Sequence, residues 1–369
     1  MKTRILFFHF DLGNGGAEKV LVNLLKCLDY NKYDITLYLL FNHGVNLPSL
    51  PSNVKLLYLF NRAPFRGITH LLKLLSPRLL HKLLIKDIYD IEIAYIEGAP
   101  TRIISGSTSK RTKLFSWVHT QVGVDFFNPY RSLGEAQKAY NRFDKVVFVS
   151  EATKNIFISR TGWRNLSCAV CHNVINVDEI IKISNDAISF QLSSTKLNLC
   201  SVGKLTEQKG YPRLIRILGE LKTIIDKDWQ LYILGQGDQK HLLEDEIFKY
   251  DLQDNVHLLG YDMNPYKYVR KMDIFICASY NEGYSTAVTE SIIVGTPVIT
   301  TDCPGMSEIL GDSGAGIIVE NSDNGLRCVL EDLLTQKIDV NQLRENALKR
   351  SSYFVESNLK EFEYVISEN

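Results

Sequence analysis

Glu282 and Glu290 frame the run Asn281-Glu282-Gly283-Tyr284-Ser285-Thr286-Ala287-Val288-Thr289-Glu290, eight positions apart. An apolar stretch, Ile274–Ala278, precedes this run, and a second one, Val298–Thr300, follows it. The pattern reads strand, polar loop, helix, strand. It puts Glu282 in the loop at a strand's carboxyl end and Glu290 about two turns into the helix. Gly283 through Thr286 then form a helix start whose backbone N–H groups suit a phosphate. Carboxylates accept from sugar hydroxyls while amides hold an anion, so the run could grip a sugar nucleotide. Taken alone, it is equally consistent with a surface helix that carries two acids.

Cations sit in a comparable place. Ser201-Val202-Gly203-Lys204-Leu205 ends another apolar strand, and Lys209-Gly210 follows closely. Lys204 and Lys209 on one loop would offset the charge of a diphosphate and take up charge on a phosphate leaving group, although two lysines on a solvated loop are common. Ile233-Leu234-Gly235-Gln236-Gly237-Asp238 is a further strand entering a glycine loop, readable as pocket wall or as a tight turn. His119 closes the strand Leu114–His119, where an imidazole either contacts a sugar hydroxyl or is a capped structural residue. The first turn, Asp11-Leu12-Gly13-Asn14-Gly15-Gly16-Ala17-Glu18, lets backbone approach phosphate. A dinucleotide site would want an acid near the end of the second strand. That strand ends Leu40-Phe41-Asn42-His43-Gly44, which weakens a hydride-transfer reading.

Two patterns are set aside. Cys168-Ala169-Val170-Cys171-His172 matches a haem-attachment spelling, but it lies on an apolar strand and has no export signal before it. Zinc would need further ligands at suitable spacing. Asp226-Lys227-Asp228 falls at a strand's amino end, so no metal is expected there. The segment 62–86 is different in kind. It carries Arg62, Arg66, Lys73, Arg78, Lys82 and Lys86 with no acid, interleaved with leucines at helical spacing. Such a segment suits an anionic bilayer surface, or else two core-packed helices with solvated lysines. It lacks interleaved stacking aromatics, which disfavours nucleic acid.

Alternating apolar runs and helical patterns must position these residues. In the first half the strands are Arg4–Phe10, Ile35–Phe41, Ile91–Ile96, Leu114–His119 and Lys145–Ser150. In the second they are Leu197–Val202, Gln230–Leu234, Val256–Leu259, Ile274–Ala278, Val298–Thr300 and Gly316–Val319. Each half reads as an α/β doubly wound sheet of five or six strands, with loops beyond the strand carboxyl ends facing a shared cleft. The expected domains are 1–175, 176–350 and a helical tail, 351–369, that packs back on the first. Length fits two domains. Net charge is zero overall, yet 1–175 holds 23 Lys+Arg against 12 Asp+Glu and 176–369 holds 19 against 30. The two halves should therefore face different partners. Seven scattered cysteines suit reduced thiols. The opening apolar run is too short for a signal peptide, and no stretch approaches the ~20 apolar residues of a membrane span. The expected location is cytoplasmic.

These residues resemble the retaining glycosyltransferases of the GT-B fold, family 4, over nearly the whole chain. The resemblance rests on Gly15-Gly16-Ala17-Glu18, Ser150-Glu151, His172-Asn173-Val174-Ile175-Asn176, Gly203-Lys204-Leu205 with Lys209-Gly210, and the E-x7-E spacing of Glu282 and Glu290. It implies two Rossmann-like domains, the first binding acceptor and the second a nucleotide sugar, in a metal-independent hexosyltransferase without a cofactor. By resemblance, Glu290 holds the ribose and Glu282 the donor sugar, while Lys204 and Lys209 bind the diphosphate. Tyr284, Ser285 and Thr286 close over the phosphates beside Gly203 and Gly235. Gly16 approaches the donor, and His119 touches the transferred sugar. The family usually has Arg where Lys204 stands; lysine keeps the charge and loses the fork of donors. With the basic segment, the resemblance implies a UDP-sugar donor and a lipid-linked saccharide acceptor at the inner face of the plasma membrane, in surface polysaccharide or glycan synthesis. A sugar-nucleotide 2-epimerase and a non-catalytic nucleotide-sugar-binding partner in an assembly are the alternatives.

Overall fold

The computed structural model describes every residue except Met1, Arg66, Val124, Ser357, Glu368 and Asn369. The chain divides into two compact units, Met1–Asn176 with Ser357–Asn369, and Val177–Glu356.

Among the described residues the first unit holds a seven-stranded parallel sheet. Its strands are β1 (Thr3–His9), β2 (Tyr33–Phe41), β3 (Lys55–Phe60), β4 (Ile91–Ala94), β5 (Lys113–Val118), β6 (Lys145–Phe148) and β7 (Cys168–Val170). Their spatial order is 3-2-1-4-5-6-7. The strands are continuous apolar runs because helices cover both faces; Ile5, Leu6, Phe7 and Phe8 are all fully buried. The five sequence-derived strands of this half thus become seven. One of the two additions, β7, is the apolar strand already read around Cys168–Val170; the other, which the pattern missed, is β3, an edge strand whose residues are all half-buried or exposed, so its periodicity is diluted.

The second unit holds β8 (Leu197–Val202), β9 (Trp229–Leu234), β10 (Val256–Gly260), β11 (Ile274–Cys277), β12 (Val298–Thr301) and β13 (Gly316–Val319). These lie in the order 10-9-8-11-12-13, all parallel. In both sheets the order reverses beside the first strand: β1 lies between β2 and β4, and β8 between β9 and β11. At such a reversal the connections leave to opposite faces, and the loops beyond the strands part to leave a crevice.

The final helix, Asn358–Ser367, belongs to the first unit. Phe362 is buried there, its ring 6.1 Å from Phe7 and 5.6 Å from Trp117. Glu361 binds the His172 ring at 3.0 Å, and Glu363 meets Lys32 at 2.9 Å. His172, the last residue of the haem-like pattern, is therefore engaged by a carboxylate. Burial pushes the Cys171 thiol up, away from the thiolate a metal would need.

The basic segment forms two short helices, Ile68–Lys73 and Pro77–Leu84; Arg66 lies outside the described residues. Ile68, Leu72, Leu80 and Ile85 enter the core, while Leu71, Leu74, Leu79 and Leu83 stay exposed. Two arginines hold the first helix at its carbonyl end. Buried Arg102 donates to the carbonyls of Leu72 and Leu75 at 2.9 and 2.8 Å and pairs with Glu135 at 2.9 Å. Arg131 donates to the carbonyls of Lys73 and Leu74. The second helix is tied to the sheet by a 2.7 Å contact between His81 and the buried Glu92 of β4. Replacing Arg102 by methionine strips these carbonyls and Glu135 of their donor. We expect a loss of about 3 kcal/mol, roughly 6–12 °C in the unfolding midpoint, with faster amide exchange at 68–75. An unchanged midpoint in calorimetry would remove Arg102 as the anchor.

Candidate functional site

β8 and β11 are hydrogen-bonded neighbours at the reversal of the second sheet. The loop after β8 turns through Glu207–Lys209 in one 3₁₀ turn and stops at Gly210, whose positive φ of 65° favours glycine. A side chain at Gly210 would also strike the Ala278 carbonyl, since its Cβ would lie 2.0 Å from that oxygen. The loop therefore lies directly against the end of β11. Gly203 likewise leaves room for the Lys209 stem, 3.3 Å from where a Cβ would stand.

This packing brings Lys209 to Glu282. The ammonium Nζ lies 2.7 Å from Glu282 Oε1, and the Ser279 hydroxyl donates to the same oxygen at 2.6 Å. Glu282 is buried, and Cys277 Sγ approaches the same Oε1 at 3.9 Å. All of the donors converge on one carboxylate oxygen, which fixes the plane of the group and leaves Oε2 to accept from a ligand. Burial alone would lower the Lys209 pKa, but the adjacent Glu282 carboxylate outweighs it and holds the amine above its ordinary value. Lys209 therefore stays cationic at any physiological pH.

Arg213, itself buried, holds the strand end that carries Ser279. Its guanidinium donates to the Ala278 and Ser279 carbonyls at 2.7 and 2.9 Å and to Asn321 at 2.9 Å, and it lies 3.8 Å from the Tyr280 ring centre.

The helix after this loop spans Thr286–Ile293 and is capped by Ser285, whose hydroxyl accepts from Val288 N. Glu290 is therefore one turn into the helix rather than two, because the helix begins only at Thr286, after the chain bends at Gly283 and Tyr284. Glu290 is buried and accepts from the Tyr266 hydroxyl at 3.1 Å. Tyr284 is buried, with Thr286 at the helix start behind it. Lys204 is exposed and forms no ion pair among the described residues. The loop thus divides its two lysines: Lys209 is held inside on Glu282, and Lys204 projects outward. Gly235 has φ 151°, and a Cβ there would stand 1.8 Å from the Gly203 carbonyl, so the glycine lets the ends of β8 and β9 meet.

In the first unit, Gly15 caps the helix Gly16–Cys27, and Gly16 is its exposed first residue. Glu18 folds back over Gly15, where an added Cβ would meet its carboxylate. His119 is buried just beyond β5, and its backbone N–H donates to Glu97 at 3.0 Å. Burial, with the His9 ring beside it, pushes His119 down to about 3, so the imidazole is neutral. Sequence reading overlooked Ser279, Tyr266 and Arg213. Ser279, three residues before Glu282 at a strand end, was within reach of pattern; the other two arrive from separate helices.

Residues 14–179 match the family model described as Glycosyltransferase Family 4, and residues 184–350 match that described as Glycosyl transferases group 1. The chain is 29% identical over 353 residues to a Campylobacter jejuni enzyme, N-acetylgalactosamine-N,N'-diacetylbacillosaminyl-diphospho-undecaprenol 4-alpha-N-acetylgalactosaminyltransferase, covering 92% of this chain and 93% of that one. It is 23% identical to the amylovoran biosynthesis glycosyltransferase AmsD of Erwinia amylovora, over 90% of this chain and 89% of that one. Its fold is shared with Anabaena Alr3699/HepE, solved in complex with UDP (TM-score 0.74, 18% identity, all of both chains). It is shared also with sucrose-phosphate synthase of Thermosynechococcus elongatus (TM-score 0.78, 14% identity, 99% and 98% covered).

Substituting Glu282 by glutamine keeps the shape and removes the counter-charge. Burial then acts unopposed on Lys209, so its pKa should fall below its wild-type position, read by NMR of the lysine side chain. Thermal stability should drop by about 1–2 kcal/mol, a figure discounted for the partial exposure of Lys209. A Lys209 titration identical to wild type would disprove the coupling.

Proposed function

From the premise that this chain is a glycosyltransferase of the GT-B fold, we propose that it moves a hexose or N-acetylhexosamine, with retention, from a UDP-sugar to a lipid-linked saccharide. The observation that carries this reading is the fixed Lys209–Glu282 pair at the strand reversal of the second unit. Glu282, with Oε1 anchored by Lys209 and Ser279, presents Oε2 to hydroxyls of the donor sugar. Glu290, oriented by Tyr266, takes the ribose hydroxyls. Lys209 and Lys204 bind the diphosphate, with the backbone around Gly203, Gly235 and Tyr284–Thr286 closing on it. His119 contacts the transferred sugar, and Gly16 lines the donor's approach.

Chemically, cleavage of the sugar–phosphate bond leaves negative charge on the departing diphosphate, while the sugar passes through an oxocarbenium-like state. Stabilising that leaving group is the main requirement. A lysine that remains protonated next to Glu282 supplies a fixed positive charge, and the exposed Lys204 adds a second, so the transfer proceeds without a metal ion. Retention of the sugar's configuration fits departure and attack on one face.

For the acceptor, the C. jejuni relative's name specifies an undecaprenol diphosphate saccharide, and the basic segment supports a membrane-borne substrate. Leu74 and Leu83 are 72% and 53% exposed, with exposed Arg78 and Lys82 between them in the sequence, an apolar and cationic surface of the kind that settles on anionic lipid. No helix among the described residues is long and apolar enough to cross a membrane. We place the protein peripherally at the cytoplasmic face of the plasma membrane, in surface polysaccharide or glycan synthesis.

Radiolabelled UDP-sugars incubated with polyprenyl-diphosphate-linked saccharide and chelator should yield labelled lipid. Tyr266→Phe should raise the donor KM about tenfold, the value of one hydrogen bond to a charged group, while Glu282→Ala should abolish transfer. Epimerised free nucleotide sugar would replace this reading with an isomerase, and no product at all would favour a binding partner.

Changing Lys73, Arg78 and Lys82 together to glutamate should weaken flotation with anionic vesicles on the order of a hundredfold, at about 1 kcal/mol for each cation lost. Unaltered flotation would refute the membrane face.

A further inference from the structure

Three neighbouring strands of the first unit end in polar side chains that converge at the reversal of its sheet. β1 finishes at His9, the chain leaving β4 carries Glu97, and β5 runs into His119. β4 is bonded to β1 on one side and to β5 on the other, so the three carboxyl ends are adjacent. His9 is fully buried, and its Nδ1 lies 2.7 Å from the Asp11 carbonyl oxygen. A carbonyl cannot donate, so Nδ1 carries the proton and Nε2 keeps a lone pair. That Nε2 is buried without a hydrogen-bond partner among the described residues, and so is Nε2 of His119. Buried polar atoms are normally satisfied; a lone pair in this position calls for a donor that the protein does not supply.

The surroundings select the donor. Burial holds His9 below its ordinary pKa despite the nearby Glu18 and Asp11, so both imidazoles are neutral. Glu97 accepts from His119 N at 3.0 Å and from the Thr120 hydroxyl, fixing the chain that carries His119. Lone pairs and the carboxylates of Asp11, Glu18 and Glu97 repel phosphate. A neutral group with hydroxyl or amide N–H donors fits them.

We propose that the ends of β1, β4 and β5 form a saccharide-recognition site in which His9 Nε2, together with His119, accepts from hydroxyls of a bound sugar, with Glu97 positioning His119. The proposal rests on the reading of His119 as a sugar contact and adds His9 and Glu97 to it. The site takes an uncharged pyranose and turns away acidic sugars.

The test uses the full chain with ¹⁵N-labelled histidine, titrated with glucose, galactose, N-acetylglucosamine and N-acetylgalactosamine. The His9 Nε2 resonance should be that of an unprotonated nitrogen and should shift with at least one of these sugars, and with none of them when glucuronic acid is substituted. His9→Met should raise the saccharide KM about tenfold with kcat nearly unchanged, and His9→Gln, which restores an acceptor, should recover part of it. An Nε2 resonance indifferent to all four sugars identifies an ordered water as the occupant and overturns the proposal, whether or not the variants fold. Transfer by the wild type with a KM unmoved in His9→Met also overturns it while leaving the transferase reading intact. A sugar-responsive His9 in a protein that transfers nothing would defeat the transferase reading and sustain the site.

Discussion

Parallel strands impose one constraint on everything else in this molecule: all their carboxyl ends lie at the same edge, and only at the reversal of strand order do the loops part. In the second unit that reversal falls between β8 and β11. Lys209 comes from the loop after the first of these strands and Glu282 from the loop after the second, seventy-three residues apart in sequence and 2.7 Å apart in space. An ion pair formed at that point needs little else to place it. What remains is orientation, supplied by Ser279 on the shared oxygen and by Arg213 beneath the strand end.

The pair also explains why so many small residues surround it. A partly buried lysine and carboxylate are stable only when each stays close to its counter-charge and no bulk separates them. Gly203 leaves space for the lysine stem, Gly210 lets the loop meet the Ala278 carbonyl, and Gly235 lets β8 and β9 end side by side. These glycines act on the site through backbone approach. Lys204, next to Gly203 on the same loop, stays exposed outside this packing.

The first unit repeats the plan with different chemistry. Its reversal lies between β1 and β4, and the groups gathered there are neutral imidazoles and acids instead of a fixed cation. Positive charge is displaced to the helices Ile68–Lys73 and Pro77–Leu84: Arg102 and Arg131 hold the carbonyl end of the first, His81 ties the second to the sheet, and Leu71, Leu74, Leu79 and Leu83 face outward. Such a division keeps the buried imidazoles and acids at the strand ends apart from the cations at the surface, within one domain.

The sequence by itself determined the alternation of buried strands and helices, the two doubly wound sheets, and the loops that carry Glu282, Lys209 and His119. Each of these is a local pattern: an apolar run, a glycine turn, a helix cap. It did not disclose β3, because an edge strand buries too little of itself to show a clean period. Nor did it disclose the partners: Ser279 and Lys209 on one oxygen of Glu282, Tyr266 on Glu290, or His9 beside His119. These pairings join residues brought close only by the order of strands in each sheet. Strand order is set by which apolar faces pack together, a property of the folded whole that no local stretch of residues encodes.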